Sequence, residues 1–241
     1  MRAIIVAAGT GNRLRPFTEN LPKCLIKVGK ETILEHQFRR LTNSGINKIT
    51  MVLGFKAEMI EKFLEKKKYL GASTEFIYNP FYEITNNLAS LWFANHLLKN
   101  AGGDIIHLHS DVLFDHHILG DMLKTDGDLI LAAEEKRTVE EDMKIRVVDN
   151  HIVEMAKEIP IDEAYGEWIG MCRFSPEGSS KLADELGKVV RSGDLMAYDA
   201  KAFTNLARRG EKLKVSPTGD YKWIEIDSPD DLETAKKIKW T

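Results

Sequence analysis

Over its first 133 residues the chain alternates short apolar runs with amphipathic stretches, and this alternation limits its fold more than any other feature. Residues 3–8 (AIIVAA) read as a buried strand. Residues 32–44 (TILEHQFRRLTNS) read as a helix, because Ile33, Leu34, Phe38 and Leu41 share one face and Gly45 follows as a stop. Further strands are predicted over 48–53, 74–78, 104–109 and 128–133, with helices over 56–66, 87–99 and 116–124 between them. Strand–helix–strand order favours parallel pairing, so the expected fold class is α/β with a doubly wound, mostly parallel sheet.

The pattern changes after about residue 134. Shorter strands are predicted over 143–148, 151–155 and 168–174, helices over 176–187 and 199–209, and a closing strand and helix over 222–226 and 229–239. This is expected to form a smaller α+β region. The charge-rich stretch Glu134 to Asp142 reads as a solvated loop.

Composition excludes several classes. With 241 residues, 43% of them hydrophobic, the chain can bury a substantial core. A net charge of -3 and a pI near 6.2 carry no general nucleic-acid or anionic-membrane footprint. No apolar run approaches a membrane span, and no signal-peptide pattern opens the chain. The two cysteines, Cys24 and Cys172, stand at unrelated positions, which reads as a reducing cytoplasm without a disulfide framework. Gln37 is the sole glutamine among abundant Lys, Glu and Arg, a bias found in proteins from hot environments.

The first strand leaves through Gly9-Thr10-Gly11, and Arg13, Arg15 and Lys23 follow closely. Glycines let backbone approach a ligand, and successive N–H groups can cradle phosphate oxygens at the carboxyl end of a sheet. The loop is neither a P-loop nor G-x-G-x-x-G. Glycines beside three cations fit a polyanion such as a triphosphate; a tight turn with solvated arginines fits equally well.

The full stretch, AAGTGNRLRPFTENLPK over residues 7–23, closely resembles the signature of nucleotidyltransferases that join a nucleoside triphosphate to a phosphorylated small molecule. That resemblance implies a Rossmann-like sheet and one or two Mg²⁺ ions. It also implies in-line attack of the acceptor's phosphate on the α-phosphorus, with release of pyrophosphate. Ala7, Ala8, Gly9, Thr10 and Gly11 would bind the nucleotide, Arg13 the β- and γ-phosphates, and Lys23 the α-phosphate. Arg13 and Lys23 are thus the expected catalytic residues, since positive charge must stand where transition-state charge develops. One domain is expected over 1–241, with 1–134 as its nucleotide-binding half and 135–241 as its acceptor-binding half.

Two aspartates complete the expectation. Asp111 follows the strand 104–109, and Asp227 closes the last strand. Mg²⁺ takes a few carboxylates with phosphate oxygens and water, so this pair suits it. The family usually carries D-x-D or G-D at the first position; here the sequence is His109-Ser110-Asp111, and one partner carboxylate is missing. Ser228 can cap the final helix, which frees Asp227 for metal. His107, His109, His116 and His117 lack a Cys or Glu at zinc-ligand spacing and read as core or surface residues.

The base and acceptor are read from two further stretches. Asn86-Asn87-Leu88-Ala89-Ser90 is similar to cytidylyltransferases for phosphocholine, inositol phosphate and aminoethylphosphonate, so Asn87 and Ser90 are expected to meet cytosine. The resemblance places Lys157 against the acceptor's phosphate. Glu167, Asp194 and Asp199 would pair polyol hydroxyls, whereas Trp168 with other aromatics could box a quaternary ammonium. With the hot-environment bias, this favours CTP and inositol-1-phosphate as substrates. Phosphocholine, a hexose-1-phosphate enzyme and a non-catalytic relative stand as alternatives, and a homodimer is compatible with the sequence.

Overall fold

The computed structural model describes residues 1–67 and 71–240. Strand β1 (Arg2–Ala7) is covered on both faces, which accounts for its unbroken run of small and branched apolar residues. A long loop and the short hairpin β2 (Lys27–Val28) and β3 (Glu31–Thr32) lead into α1 (Ile33–Asn43). Thr32 and Glu35 form a capping box that fixes where α1 begins. There follow β4 (Lys48–Leu53), α2 (Ala57–Lys67), β5 (Ser73–Tyr78), α3 (Asn87–Phe93), α4 (Asn95–Lys99), β6 (Ile105–His109), β7 (Val112–Phe114), α5 (His116–Lys124) and β8 (Leu129–Glu135). The second half adds β9 (Lys144–Val148), β10 (His151–Ala156), β11 (Gly166–Phe174), α6 (Pro176–Arg191), α7 (Ala200–Arg208), β12 (Leu213–Pro217), β13 (Trp223–Glu225) and α8 (Pro229–Lys237).

Among the described residues, nine strands form one sheet in the order β5-β4-β1-β6-β11-β8-β12-β10-β9. The strands β5, β4, β1 and β6 are parallel. Antiparallel pairing begins at β11 and alternates with the parallel pair β12–β8. Apolar clusters cover both faces. One joins Leu91, Leu98, Leu182 and Phe203 from α3, α4, α6 and α7. The other joins Phe38, Ile60 and Met122 from α1, α2 and α5. This is the α/β, Rossmann-like doubly wound arrangement, and it puts the loops after β1 and β6 at one carboxyl edge.

Several elements differ from the sequence reading. The helix expected over 87–99 is two helices, α3 and α4, that meet at Ala94. The strands β7 and β12 were not expected: β7 has three residues, and β12 ends in Pro217, which weakens its strand signal. The closing strand β13 pairs with β7 outside the main sheet. The shorter strands of the second half extend the same sheet rather than building a sheet of their own.

Candidate active site

The glycine loop is shaped from within. Gly11 has φ +65°, and a Cβ there would lie 3.0 Å from Thr18 Cγ2, so a side chain would be both strained and crowded. Thr18 Oγ1 donates to the Gly11 carbonyl at 2.7 Å and closes the loop on itself. Leu14 is fully buried with Ile26, Ile33, Leu113 and Ile226. Burying one such side chain stabilises by roughly 1.5–3 kcal/mol, and here it anchors the loop to the residue that precedes Asp227.

Two local contacts carry the acidic residues to that loop. Asp111 sits in the turn between β6 and β7. The side chain of Gln37 holds both shoulders of the turn, donating to the carbonyls of His109 (2.7 Å) and Val112 (2.9 Å). Because β13 pairs with β7, Glu225 lies opposite Val112, and the Ile226 N–H donates to the Asp111 carbonyl at 3.1 Å. Asp227 follows at once, and Ser228 rather than Asp227 accepts the capping bond of α8.

Lys23 stands in the middle. Its Nζ donates to Asp111 Oδ2 at 2.7 Å and also to Asp227 Oδ1. Arg13 pairs with Asp227 Oδ2 at 2.5 Å from the open side. Burial works against the Lys23 charge, but Asp111, Asp227 and Glu225 outweigh it and hold the ammonium above its usual range. Burial also opposes ionisation of Asp111, yet Lys23 and His109 keep its carboxyl below the usual range. Glu225 is pushed up to about 8, first by burial and then by the charges of Asp111 and Asp227.

Glu225 went unnoticed in the sequence, although its place two residues before Asp227 on a strand puts both on one side. Among the described residues, Asp111 with Glu225 and His109 is one of three groups whose atoms could share an ion, beside His107–His109–Asp199 and Asp115–His116–His117, and the carboxylate of Asp227 is also engaged by Lys23 and Arg13. Asp111, Asp227 and Glu225 thus share one small space with Lys23, Arg13 and His109. Asp111 Oδ1 is also buried without a hydrogen-bond partner. This donor set fits a divalent cation.

The opposite wall holds a buried polar network. Asn86, not Asn87, caps α3. Asn87 Nδ2 donates to Asp199 Oδ1 (3.0 Å), and Asn87 Oδ1 accepts from the Asp199 N–H (2.9 Å). Ser90 Oγ accepts from Asn79 Nδ2 at 3.0 Å. Both residues line the cleft, but their side chains are tied to the protein, so any contact with a base would use what these bonds leave over.

Asp199 is fully buried and bonds the Nε2 atoms of His107 (3.0 Å) and His109 (2.9 Å). Burial lowers the pKa of His107. His109 is buried as well, but the Asp199 charge pushes it up to about 9. Asp199 is therefore a buried anchor at the start of α7, and its expected place against an acceptor is corrected.

Two more acceptor residues lie elsewhere than expected. Glu167 and Trp168 are adjacent on β11 and so point to opposite faces. Trp168 reaches the cleft, while Glu167 turns into a neighbouring hollow and pairs with Lys136 at 2.7 Å. Burial pushes the Glu167 carboxyl up to about 7. Asp194 pairs with Lys201 and is not part of the cleft wall. Lys157 does reach the cleft, 5.6 Å from the Tyr198 ring centre. Glu141, from the charge-rich loop, bridges Lys157 at 3.1 Å and Arg13 at 4.0 Å.

The cleft has a volume of about 430 Å³. It gathers Ala8, Gly9, Thr10, Gly11, Arg13, Lys23, Asn87, Ser90, Asp111, Lys157, Trp168 and Asp227 from the sequence reading. Ala7 packs its side chain into the core just beneath.

A doubly wound sheet with glycines, cations and carboxylates at one carboxyl edge defines a protein that handles nucleoside phosphates. Residues 2–133 match the family model "Nucleotidyl transferase", and the chain belongs to that family. The CTP:phosphoglutamine cytidylyltransferase of Campylobacter jejuni is 24% identical, covering 97% of this chain and 98% of its own. The choline-phosphate cytidylyltransferase of Streptococcus pneumoniae is 39% identical over a shorter match that covers 42% of each chain. The solved inositol-1-phosphate CTP transferase from T. maritima superposes with a TM-score of 0.81 at 22% identity, covering 100% of this chain and 97% of that one.

Proposed function

We propose that the chain is a CTP-dependent cytidylyltransferase that moves CMP from CTP to a small phosphorylated acceptor and releases pyrophosphate. One observation carries the reading: Lys23 is held between Asp111 and Asp227 at the mouth of the glycine loop. The family match and the cytidylyltransferase relatives support it.

An acceptor phosphate oxygen attacks the α-phosphorus of CTP. The α–β phosphoanhydride bond breaks, and the electron pair leaves with pyrophosphate. Both reactants are anions, so the main task is charge placement. Lys23 offers a fixed ammonium toward the α-phosphate. Arg13, exposed on the loop, swings between Asp227 and the outer phosphates. The loop N–H groups after β1 cradle oxygens that Gly9 and Gly11 allow to come close. Asp111 and Asp227, with Glu225 beside them, would hold Mg²⁺, which when bound neutralises phosphate oxygens.

The acceptor end supports a choice. The expectation of inositol-1-phosphate rested on composition and on Lys157, Glu167, Asp194 and Asp199, and of these residues only Lys157 lines the cleft. Tyr198 and Glu141 stand beside Lys157, and the same cleft is lined by Tyr82, Met143, Met196 and the nearly buried Trp168. Aromatic and thioether surface near a carboxylate suits an ammonium-bearing head better than a polyol. An acceptor of the phosphocholine kind therefore stands ahead of inositol-1-phosphate. The test is kcat/KM for both with CTP under the same conditions. An advantage of more than about tenfold for inositol-1-phosphate, some 1.4 kcal/mol of transition-state discrimination, sinks the ammonium reading.

A further inference from the structure

We infer that His109 is a nitrogen ligand of the metal site, beside Asp111 and Glu225, and that the site binds a first-row transition ion such as Mn²⁺ in preference to Mg²⁺. A ring nitrogen of His109 and carboxylate oxygens of Asp111 and Glu225 lie within 4.8 Å of one another, close enough for one ion to bridge.

Three independent details prepare the site. Nε2 of His109 bonds Asp199 Oδ2 at 2.9 Å. A carboxylate only accepts, so this bond keeps the proton on Nε2 and leaves Nδ1 for an ion. A buried carboxylate behind a ligating imidazole is the usual outer support of such a ligand. Here the support is rigid, because Asp199 is also bonded by His107, Asn87 and the first N–H of α7.

The strand facing the ring is interrupted at this level. The pairing of β11 with β8 shifts register between Trp168 and Cys172. Gly170 sits in that shift with φ +72°, and a Cβ on it would stand 2.9 Å from His109 Nδ1. Glycine at this point keeps clear the one ring nitrogen that Asp199 does not engage.

Asp111 supplies the third detail. Lys23 takes Oδ2, while Oδ1 is buried without a partner. An orphaned buried carboxylate oxygen is costly unless an ion or donor meets it. Imidazole suits transition ions, whereas Mg²⁺ prefers an all-oxygen shell.

The inference rests on Asp111 being a metal ligand but on neither CTP nor the acceptor. The test is binding of Mn²⁺ alone to the purified chain, followed by electron paramagnetic resonance with pulsed detection of ¹⁴N coupling. Bound Mn²⁺ is expected to show coupling to one imidazole, and [¹⁵N]histidine labelling of the unmutated protein should alter that signal. In His109→Gln the coupling should vanish and Mn²⁺ affinity should fall tenfold or more, the scale of losing a ligand or its support. Asp199→Asn should keep the coupling and weaken binding. Absence of Mn²⁺ binding, bound Mn²⁺ without ¹⁴N coupling, or coupling that survives in folded His109→Gln overturns the inference. If turnover with CTP is normal and the coupling absent, only this inference fails. If the coupling is present and no CMP transfer occurs, only the transfer reading fails.

Discussion

Lys23→Met removes one positive charge from among three carboxylates while nearly keeping the side chain's length. Two unit charges about 4 Å apart at an effective dielectric of about 20 attract by about 4 kcal/mol, and the burial cost offsets much of that. Truncating one partner of a buried pair costs about 3–5 kcal/mol, because the other partner is left unmatched. The Asp111 and Asp227 side chains are 19% and 22% exposed, so water screens part of the loss. The lower end, about 3 kcal/mol, is therefore expected. At about 2–4 °C of Tm per kcal/mol for a chain of this size, Tm should fall by roughly 6–12 °C. Turnover should fall about a hundredfold or more, the scale of losing one preorganised electrostatic contact. Added Mg²⁺ should raise the Tm of the variant more than that of the parent, since it replaces the missing charge. Thermal unfolding with and without Mg²⁺, together with pyrophosphate release, reads all three effects. A Tm within about 2 °C of the parent together with near-normal turnover would refute the idea that Lys23 holds the carboxylates together.

Other consequences are independent. Glu167 has a folded-state pKa raised to about 7, so its contribution to stability is fully present below the unfolded value near 4.5 and lost as pH rises toward 7. Glu167→Gln should accordingly flatten the fall of Tm between pH 5 and pH 8; parallel curves would show that Lys136 already compensates the charge. Glu141 is 79% exposed and bridges Arg13 and Lys157. Glu141→Gln should free Lys157 and loosen Arg13, which keeps Asp227 as a partner, and lower KM for the phosphorylated substrates by no more than about fivefold, because exposed ion pairs contribute little; a raised KM would give Glu141 a direct substrate contact. Gly11→Ala should cost about 1–2 kcal/mol from its left-handed backbone and raise KM for CTP, as initial rates and thermal unfolding can show; an unchanged KM would take Gly11 out of the phosphate cradle.

The alternation of apolar strands with amphipathic helices was enough to place the main-sheet strands of the first half and the helices between them, though not the short β2, β3 and β7, because strands covered on both faces carry unbroken apolar runs. The shape of the glycine loop was legible for a similar reason, since few residue types tolerate its geometry. The acceptor side was less legible. Alternation along β11 forbids Glu167 and Trp168 from facing one pocket, and that rule was available from the sequence. The place of Asp199 at the start of a predicted helix marked it as a cap, and it does accept from the Ala200 N–H. Its bonds to His107 and His109 depend on tertiary approach of α7 to β6, which no local pattern encodes. The same holds for Gln37, whose role in bracing the Asp111 turn spans more than seventy residues of chain.

The central claim is CMP transfer from CTP onto a phosphate. The direct measurement incubates the purified chain with Mg²⁺ or Mn²⁺, each of CTP, UTP, dTTP, ATP and GTP, and phosphocholine, inositol-1-phosphate or a hexose-1-phosphate. Pyrophosphate is quantified, and the conjugate is identified by its mass. Equal amounts of pyrophosphate and a CMP conjugate, formed with CTP and a phosphorylated acceptor and absent with Asp111→Ala, are the predicted result. Higher kcat/KM with UTP or dTTP and a hexose-1-phosphate, or no conjugate from CTP with any acceptor, would contradict it.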